Sequence, residues 1–185
     1  MSNRILVVLA HPDLAASRVN RAMVEAVRDL PGITVHDLFA AYPEGPLDVA
    51  REQALVAAHD ILVFQHPLFW YSAPARLKEW QERVLAWGWA YGPGGEALVG
   101  KTFFSAVSTG APQQAYQAGG VANFGLSEFL RPFQQMATYV RMNFAAPFVY
   151  HGAMTVDEAG IAAHAAAWRQ HLQTLVQADA VELAA

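Results

Sequence analysis

Short apolar runs of strand length, each followed by a stretch with helical periodicity, constrain the fold of this chain more than any other feature. Ile5–Leu9 and Ile61–Phe64 are continuously apolar, which is typical of strands buried on both faces of a sheet. Ile33–Leu38 alternates between apolar and polar residues and predicts a half-buried edge strand. Thr102–Val107 and Met142–Tyr150 predict two further strands.

Helical segments follow the predicted strands. The first predicted helix is capped by Ser17 and buries Val19, Met23, Ala26, Val27 and Leu30, and the second covers 48–58 with Asp48 as its cap. The third begins near Pro74 and buries Leu77, Trp80, Val84 and Trp87, and the fourth covers 126–139 and is interrupted by Pro132. The fifth follows the capping box Thr155–Glu158 and buries Ile161, Ala165, Trp168, Leu172 and Leu175. Strand–helix alternation predicts an α/β fold, a doubly wound five-stranded parallel sheet in the order 2-1-3-4-5 with helices on both faces. The length predicts one domain over residues 1–185, because domains cluster near ~100–200 residues.

Composition excludes several classes of protein. Charged residues make up 15% of the chain, well below the ~25% typical of soluble domains, which indicates apolar surface covered by a second subunit or an aromatic ligand. The lack of cysteine excludes disulfides and thiol catalysis and fits a reducing compartment. The net charge of −4 argues against a nucleic-acid partner. We also expect no export signal and no membrane span, because the apolar runs are too short.

The loops after the first, third and fourth strands are the candidate ligand site, because doubly wound sheets bind ligands beyond the carboxyl ends of their strands. In the first loop, Ser17, Arg18 and Asn20 stand at a helix N-terminus, and His11 adds a ring N–H. A helix N-terminus attracts anions, so this group predicts a phosphate site. The alternative is that Ser17 is only a helix cap.

The other two loops indicate a flat apolar ligand. Residues 66–74 contain three aromatic residues and two prolines, an unusual composition for an exposed loop. Ser108–Ala111 is built of small residues whose backbone N–H groups allow close approach, and Tyr116 follows with a phenol. The alternatives are that the aromatic residues seal the core edge and that the third loop is merely flexible. A metal site from His11, Asp13 and His66 is disfavoured because no second carboxylate joins them, and we interpret the remaining histidines as surface or capping residues.

Several of these stretches together resemble a known family. They are Ala10–Pro12, Ser17–Asn20, Val63–Ser72, Leu77–Trp80, Gly92–Gly95 and Ser108–Gly110. Over about residues 4–175 the chain resembles the flavodoxin-like NAD(P)H:quinone oxidoreductases. Within them it is most similar to the ancillary proteins of the glutathione-gated Kef potassium-efflux systems.

The resemblance implies FMN as cofactor, NAD(P)H as co-substrate, a quinone as acceptor, and a cytoplasmic homodimer with its sites at the subunit interface. It implies that the phosphate of FMN lies on the first loop and that the ribityl chain and ring lie against the other two. The implied cofactor-binding residues are His11, Ser17, Arg18, Val19, Asn20, Pro67, Leu68, Phe69, Trp70, Ser108, Thr109, Gly110 and Ala111. Tyr116 matches a catalytic tyrosine of the mammalian members, whereas the position of their loop histidine falls near Ala122.

Three functions stay open. Residues 67–75 and 108–125 contain no Asp or Glu, which favours two-electron hydride transfer, because acidic charge would destabilise a reduced anionic flavin. Backbone N–H groups near Thr109 and Gly110 are the expected donors to it. The alternative is a regulatory subunit of a potassium/proton antiporter at the inner face of the cell membrane, with FMN structural or redox-sensing. The third is a nucleotide-binding module without redox chemistry.

Overall fold

The computed structural model describes residues 2–178 as alternating strands and helices. The strands are β1 (Ile5–Leu9), β2 (Ile33–Asp37), β3 (Ile61–Pro67), β4 (Thr102–Ser108), β5 (Asn143–Phe144) and β6 (Phe148–Tyr150). The helices are α1 (Arg18–Val27), α2 (Leu38–Ala41), α3 (Val49–Ala57), α4 (Ala75–Val84), α5 (Leu126–Phe129), α6 (Arg131–Tyr139) and α7 (Glu158–Gln177).

The sheet is parallel and has the predicted order, β2-β1-β3-β4-β5, and β6 also pairs with β4. One continuous last strand was predicted over Met142–Tyr150, but the structure has two short strands there. Asn143–Phe144 pairs with the start of β4 and Phe148–Tyr150 with its end. Pro147 lies between them and has no N–H to donate to a ladder.

Both faces of the sheet are covered, which explains why its central strands are apolar throughout. Leu6 and Val8 of β1 face the core that α3, α4 and α6 cover, whereas Ile5 and Val7 face the core under α1 and α7. All residues of β1, β3 and β4 are buried. The alternation of side chains along a strand therefore divides each apolar run between two helical layers.

Three local predictions needed correction. Trp87 is not buried on α4: that helix ends at Val84, and Trp87 lies beyond it, 68% exposed, with its ring over Gly92. Asp157, not Thr155, caps α7, and its Oδ1 accepts the Gly160 N–H at 2.8 Å. The short helix α2 was missed, because its four residues are too few for periodicity to show.

His36 is not a surface residue, because it belongs to a buried polar cluster around Glu52. The Glu52 carboxylate is fully buried and accepts hydrogen bonds from His36 Nε2 at 2.9 Å, the Tyr42 hydroxyl at 2.7 Å and Trp80 Nε1 at 2.7 Å. Burial by itself raises the pKa of Glu52, but the three donors outweigh it and hold that pKa below its ordinary value. Burial and the bond to Glu52 raise the pKa of Tyr42 to about 12. The cluster ties β2, α2, α3 and α4 together.

Among residues 2–178, no helix is both long enough and apolar enough to cross a membrane.

We expect Glu52→Ala to lower the free energy of unfolding by about 3–5 kcal/mol, because it leaves buried donors without an acceptor. Urea unfolding measures this. Glu82→Ala is the matched control, since Glu82 pairs with Lys78 on an exposed helix face and should change stability by less than about 1 kcal/mol. Equal effects of the two substitutions would contradict the stabilising role of the cluster.

Glu52 should also contribute to acid sensitivity. Its pKa is lowered in the fold, so its contribution is present above the unfolded-state pKa of about 4.3 and is lost as pH falls through the lower folded value. Unfolding free energy measured across that range should fall less steeply in Glu52→Gln than in the wild type.

Candidate functional site

A cavity of about 370 Å³ opens at the carboxyl ends of β1, β3 and β4. Its lining residues are His11, Ala16, Ser17, Arg18, Val19, Asn20, Pro67, Leu68, Phe69, Ser108, Gly110, Ala153 and Met154. Ten of these were predicted as ligand-binding from the sequence. The four predicted site residues outside the lining are Trp70, Thr109, Ala111 and Tyr116.

The first loop delivers a helix N-terminus into the cavity. Ser17 Oγ accepts the backbone N–H of Asn20 at 3.3 Å, so Ser17 is the N-cap of α1 as predicted. The N–H groups of Arg18 and Val19 belong to the first helical turn and have no intrahelical acceptor. The Arg18 guanidinium bonds to Glu158 and to the Val156 carbonyl, so its charge is partly neutralised.

His11 presents a donor to the cavity. Its Nδ1 accepts the Asp13 backbone N–H at 3.2 Å, which places the proton of the neutral ring on Nε2. Burial lowers the pKa of His11, against the opposing effect of Asp13, so the ring is neutral at neutral pH. The imidazole packs edge-on against Phe69, with ring centroids 5.9 Å apart.

Two buried amides connect the strand ends below the cavity. Gln65 Nε2 donates to the Asn20 carbonyl at 3.0 Å, and Asn20 Nδ2 donates to Ser108 Oγ at 2.9 Å. Oδ1 of Asn20 and Oε1 of Gln65 are buried without a partner, although buried polar atoms are rarely left unpaired. Gln65, which lies below the lining residues, was not among the predicted site residues; its signal was a polar side chain directly after the four apolar residues Ile61–Phe64 of β3.

The second loop is a strained two-residue hairpin. Phe69 and Ser72 exchange backbone hydrogen bonds of 3.0 Å in both directions, with Trp70 and Tyr71 at the tip. Both tip residues have positive φ, 48° and 60°, the geometry of a type I′ turn that normally selects Asn and Gly. Trp70 is 94% exposed, so in the single chain its ring lies outside the cavity.

The third loop packs against the segment that follows β6, which the sequence did not predict to lie at the site. Residues 109–111 of the loop and 152–154 of this segment are together called the ledge. Ala153 N–H donates to the Thr109 carbonyl at 2.8 Å, and a Cβ at Gly110 would come within 3.0 Å of Met154 Sδ. Ala153 and Met154 therefore line the cavity from the loop after β6. Thr109 N–H donates to the Tyr150 carbonyl at 2.8 Å, so the expectation that this group is free for a ligand was wrong. Gly110 remains the candidate donor.

The charge of the lining favours an anionic or electron-rich ligand. None of the lining residues is Asp or Glu, and Arg18 is the one cation among them. The cavity combines His11 Nε2–H and the first-turn amides of α1 with small and aromatic residues. Its volume lies within the range of about 300–1,000 Å³ found for small-molecule sites.

Comparisons with known proteins agree with this architecture. The family model described as a flavodoxin-like fold matches residues 3–172. The potassium-efflux ancillary protein KefG of Yersinia enterocolitica is 43% identical over 92% of this chain and 93% of its own length. General stress protein 14 of Treponema denticola, solved in complex with FMN, is 40% identical with a TM-score of 0.88, covering 93% and 99% of the two chains. An NADPH-quinone reductase from P. pentosaceus is 32% identical with a TM-score of 0.82, covering 91% and 96%.

Relief of the strain in the hairpin tip should stabilise the protein. We expect the double substitution Trp70→Asn, Tyr71→Gly to raise the free energy of unfolding by about 1–3 kcal/mol, because Asn and Gly adopt positive φ at little cost. Trp87→Asn is the control: it also removes an exposed aromatic ring, from a residue without positive φ. A gain for the control as large as that of the double variant, in urea unfolding, would indicate that lost aromatic surface and not backbone strain is responsible.

Proposed function

Because the chain belongs to the flavodoxin-like family, we propose that it is an FMN-dependent NAD(P)H:quinone oxidoreductase. The observation that carries this proposal is one cavity that combines a helix N-terminus with aromatic and small-residue loops and contains no carboxylate. Relatives described as an FMN complex and as an NADPH-quinone reductase support it.

The residues present fit FMN. The first-turn amides of α1 and His11 Nε2–H suit a phosphate. The unpaired, buried Oδ1 of Asn20 is an acceptor for a hydroxyl of the ribityl chain, and Ser108 Oγ lies beside it. The flavin ring is assigned to the space between Pro67–Phe69 and the ledge at Gly110, where a side chain on Gly110 would crowd Met154.

Bound FMN supplies the chemistry of accepting a hydride from NAD(P)H and passing it to a quinone. The protein contributes orientation and electrostatics. The Gly110 N–H would stabilise negative charge on the bound group, as backbone donors do in an oxyanion hole. Because no carboxylate lines the cavity, that charge meets no repulsion from a neighbouring acid. Tyr116 is the proposed catalytic residue.

We propose a homodimer that completes the mouth of the cavity. Met154 and Trp70, at and beside this mouth, are among the most exposed apolar residues of the chain. Exposed apolar patches mark interaction surfaces, and the low charged fraction agrees. In the proposed dimer, the exposed ring of Trp70 is positioned to pack against the flavin or the quinone.

Regulation of a potassium-efflux antiporter is the second candidate function. The observation that favours it is the similarity to KefG along nearly the full length of both chains. In this function the protein docks on the cytosolic side of the antiporter, at the inner face of the cell membrane, and FMN is structural or reports the redox state. The two functions are compatible in one protein.

Ser17→Ala should weaken FMN binding about fivefold, because it removes the cap that fixes the first turn of α1, a contribution of about 1 kcal/mol. Trp70→Ala should weaken binding as well, through lost stacking. Quenching of flavin fluorescence on titration of FMN-free protein gives the affinities. Ser127→Ala, at an exposed position of α5, is the control. Unchanged affinity in both site variants would refute the assignment of the cavity to FMN.

Turnover separates the two candidate functions. We expect purified FMN-loaded protein to oxidise NAD(P)H with menadione as acceptor, because no carboxylate of the cavity lining would repel the negative charge of a reduced flavin. FMN-loaded protein without such activity that co-purifies with a coexpressed potassium/proton antiporter would reject the enzyme and support the regulator. Activity without co-purification would support the enzyme alone.

A further inference from the structure

The strand β3 ends with two polar side chains that lie on opposite faces of the sheet. Gln65 bonds to the Asn20 carbonyl of α1 on one face. His66 packs against Phe133 of α6 on the other face, with ring centroids 5.4 Å apart, and is fully buried. Because buried polar atoms normally have hydrogen-bond partners, the surroundings of the two ring nitrogens of His66 indicate what the residue does.

The contacts of His66 determine its tautomer. Nδ1 lies 3.0 Å from the carbonyl oxygen of Pro67, which can only accept a hydrogen bond, so Nδ1 carries the proton. Nε2 is buried without a partner among residues 2–178 and carries the lone pair of the neutral ring. Burial lowers the pKa of His66 to about 4, so the ring is neutral at neutral pH.

The hydrogen bond from His66 fixes a peptide group in the wall of the cavity. The Pro67 carbonyl accepts from His66 Nδ1–H. The N–H of the same peptide group belongs to Leu68 and donates to the Ser108 carbonyl at 2.8 Å. Both polar atoms of this peptide group are therefore held, one by a side chain from the core and the other by the neighbouring strand. Pro67, Leu68 and Phe69 all line the cavity, so the orientation of this peptide group sets the position of the wall.

We propose that His66 is a positioning residue that holds the wall Pro67–Phe69 in the form that binds the flavin. The proposal rests on the assignment of the cavity to FMN. Packing alone does not account for a histidine here, because a phenylalanine has a similar shape and would leave no unpaired Nε2 in the core. Replacing a buried polar group by an apolar one of the same shape is often neutral or stabilising. The Nδ1–H donor is therefore the contribution that is specific to His66.

Two substitutions separate the hydrogen bond of His66 from its packing. His66→Phe keeps a ring against Phe133 and removes both nitrogens. In its FMN-free form it should be at least as stable as the wild type in urea unfolding, yet it should bind FMN about fivefold more weakly, the effect of one lost hydrogen bond. His66→Asn keeps an N–H donor at the same branch of the side chain and loses most of the ring. It should be less stable than the wild type, because it leaves a void beside Phe133, but should bind FMN nearly as tightly.

FMN affinity is measured by the quenching of flavin fluorescence, with His171→Phe as the control. His171 is also partly buried against aromatic rings, those of Phe148 and Trp168, and does not line the cavity. This variant should bind FMN as the wild type does. Hydrogen exchange of the Leu68 amide in FMN-free protein reports on the wall directly, and it should be faster in His66→Phe than in the wild type and in His66→Asn.

The outcomes distinguish the role of His66 from the assignment of the cavity. Equal FMN affinity of His66→Phe and the wild type, or a loss in His66→Asn as large as that in His66→Phe, would overturn the positioning role. Unchanged exchange of the Leu68 amide in His66→Phe would do the same, as would nitrogen chemical shifts that show an Nε2–H tautomer of His66. Each of these results leaves the assignment to FMN standing, whereas wild-type protein that does not bind FMN would overturn both.

Discussion

The parallel register of β1, β3 and β4 is the constraint on which the site depends. Leu9, Gln65 and Ala106 stand side by side across these strands, so the three loops that follow them begin at nearly the same height. Each loop then contributes a different chemistry: a helix N-terminus, an aromatic hairpin and a small-residue ledge. Sliding one strand by a single residue would reverse the side chains of that strand between the two helical cores. The packing that stabilises the sheet therefore also fixes the geometry of the cavity.

The phosphate binding that we propose for this site relies on dipoles more than on net charge. Arg18 is held by Glu158 and by a backbone carbonyl, and His11 is neutral because burial lowers its pKa. The first turn of α1 and the His11 N–H are then the main attraction for a phosphate. Such a site binds a phosphate through N–H groups that point in the right direction, so it depends on Ser17, the cap that fixes where α1 begins. It also keeps the region assigned to the flavin free of strong charges of either sign.

The sequence was sufficient for the features that arise from local pattern. The apolar runs and helical periodicity predicted the sheet order, and the rule that ligands bind at strand ends indicated the three loops. The family resemblance then predicted ten of the cavity residues within those loops. What it could not give were contacts between distant segments. Glu52 looks like an ordinary helix residue until β2, α2 and α4 surround it with donors. Ala153 and Met154 reach the site only because β6, which lies just before them in the chain, pairs with the end of β4.

The buried polar clusters around Glu52 and around Asn20 differ in how many of their hydrogen-bonding atoms have a partner. At Glu52, three donors meet one carboxylate, and the result is a rigid connection between four elements. At Asn20 and Gln65, the amide nitrogens are bonded, but both carbonyl oxygens are buried without a partner. An unpaired buried acceptor costs about 1–3 kcal/mol. Of these two residues, Asn20 lines the cavity and Gln65 does not. The unpaired oxygen of Asn20 is therefore the acceptor that we propose for a ligand hydroxyl.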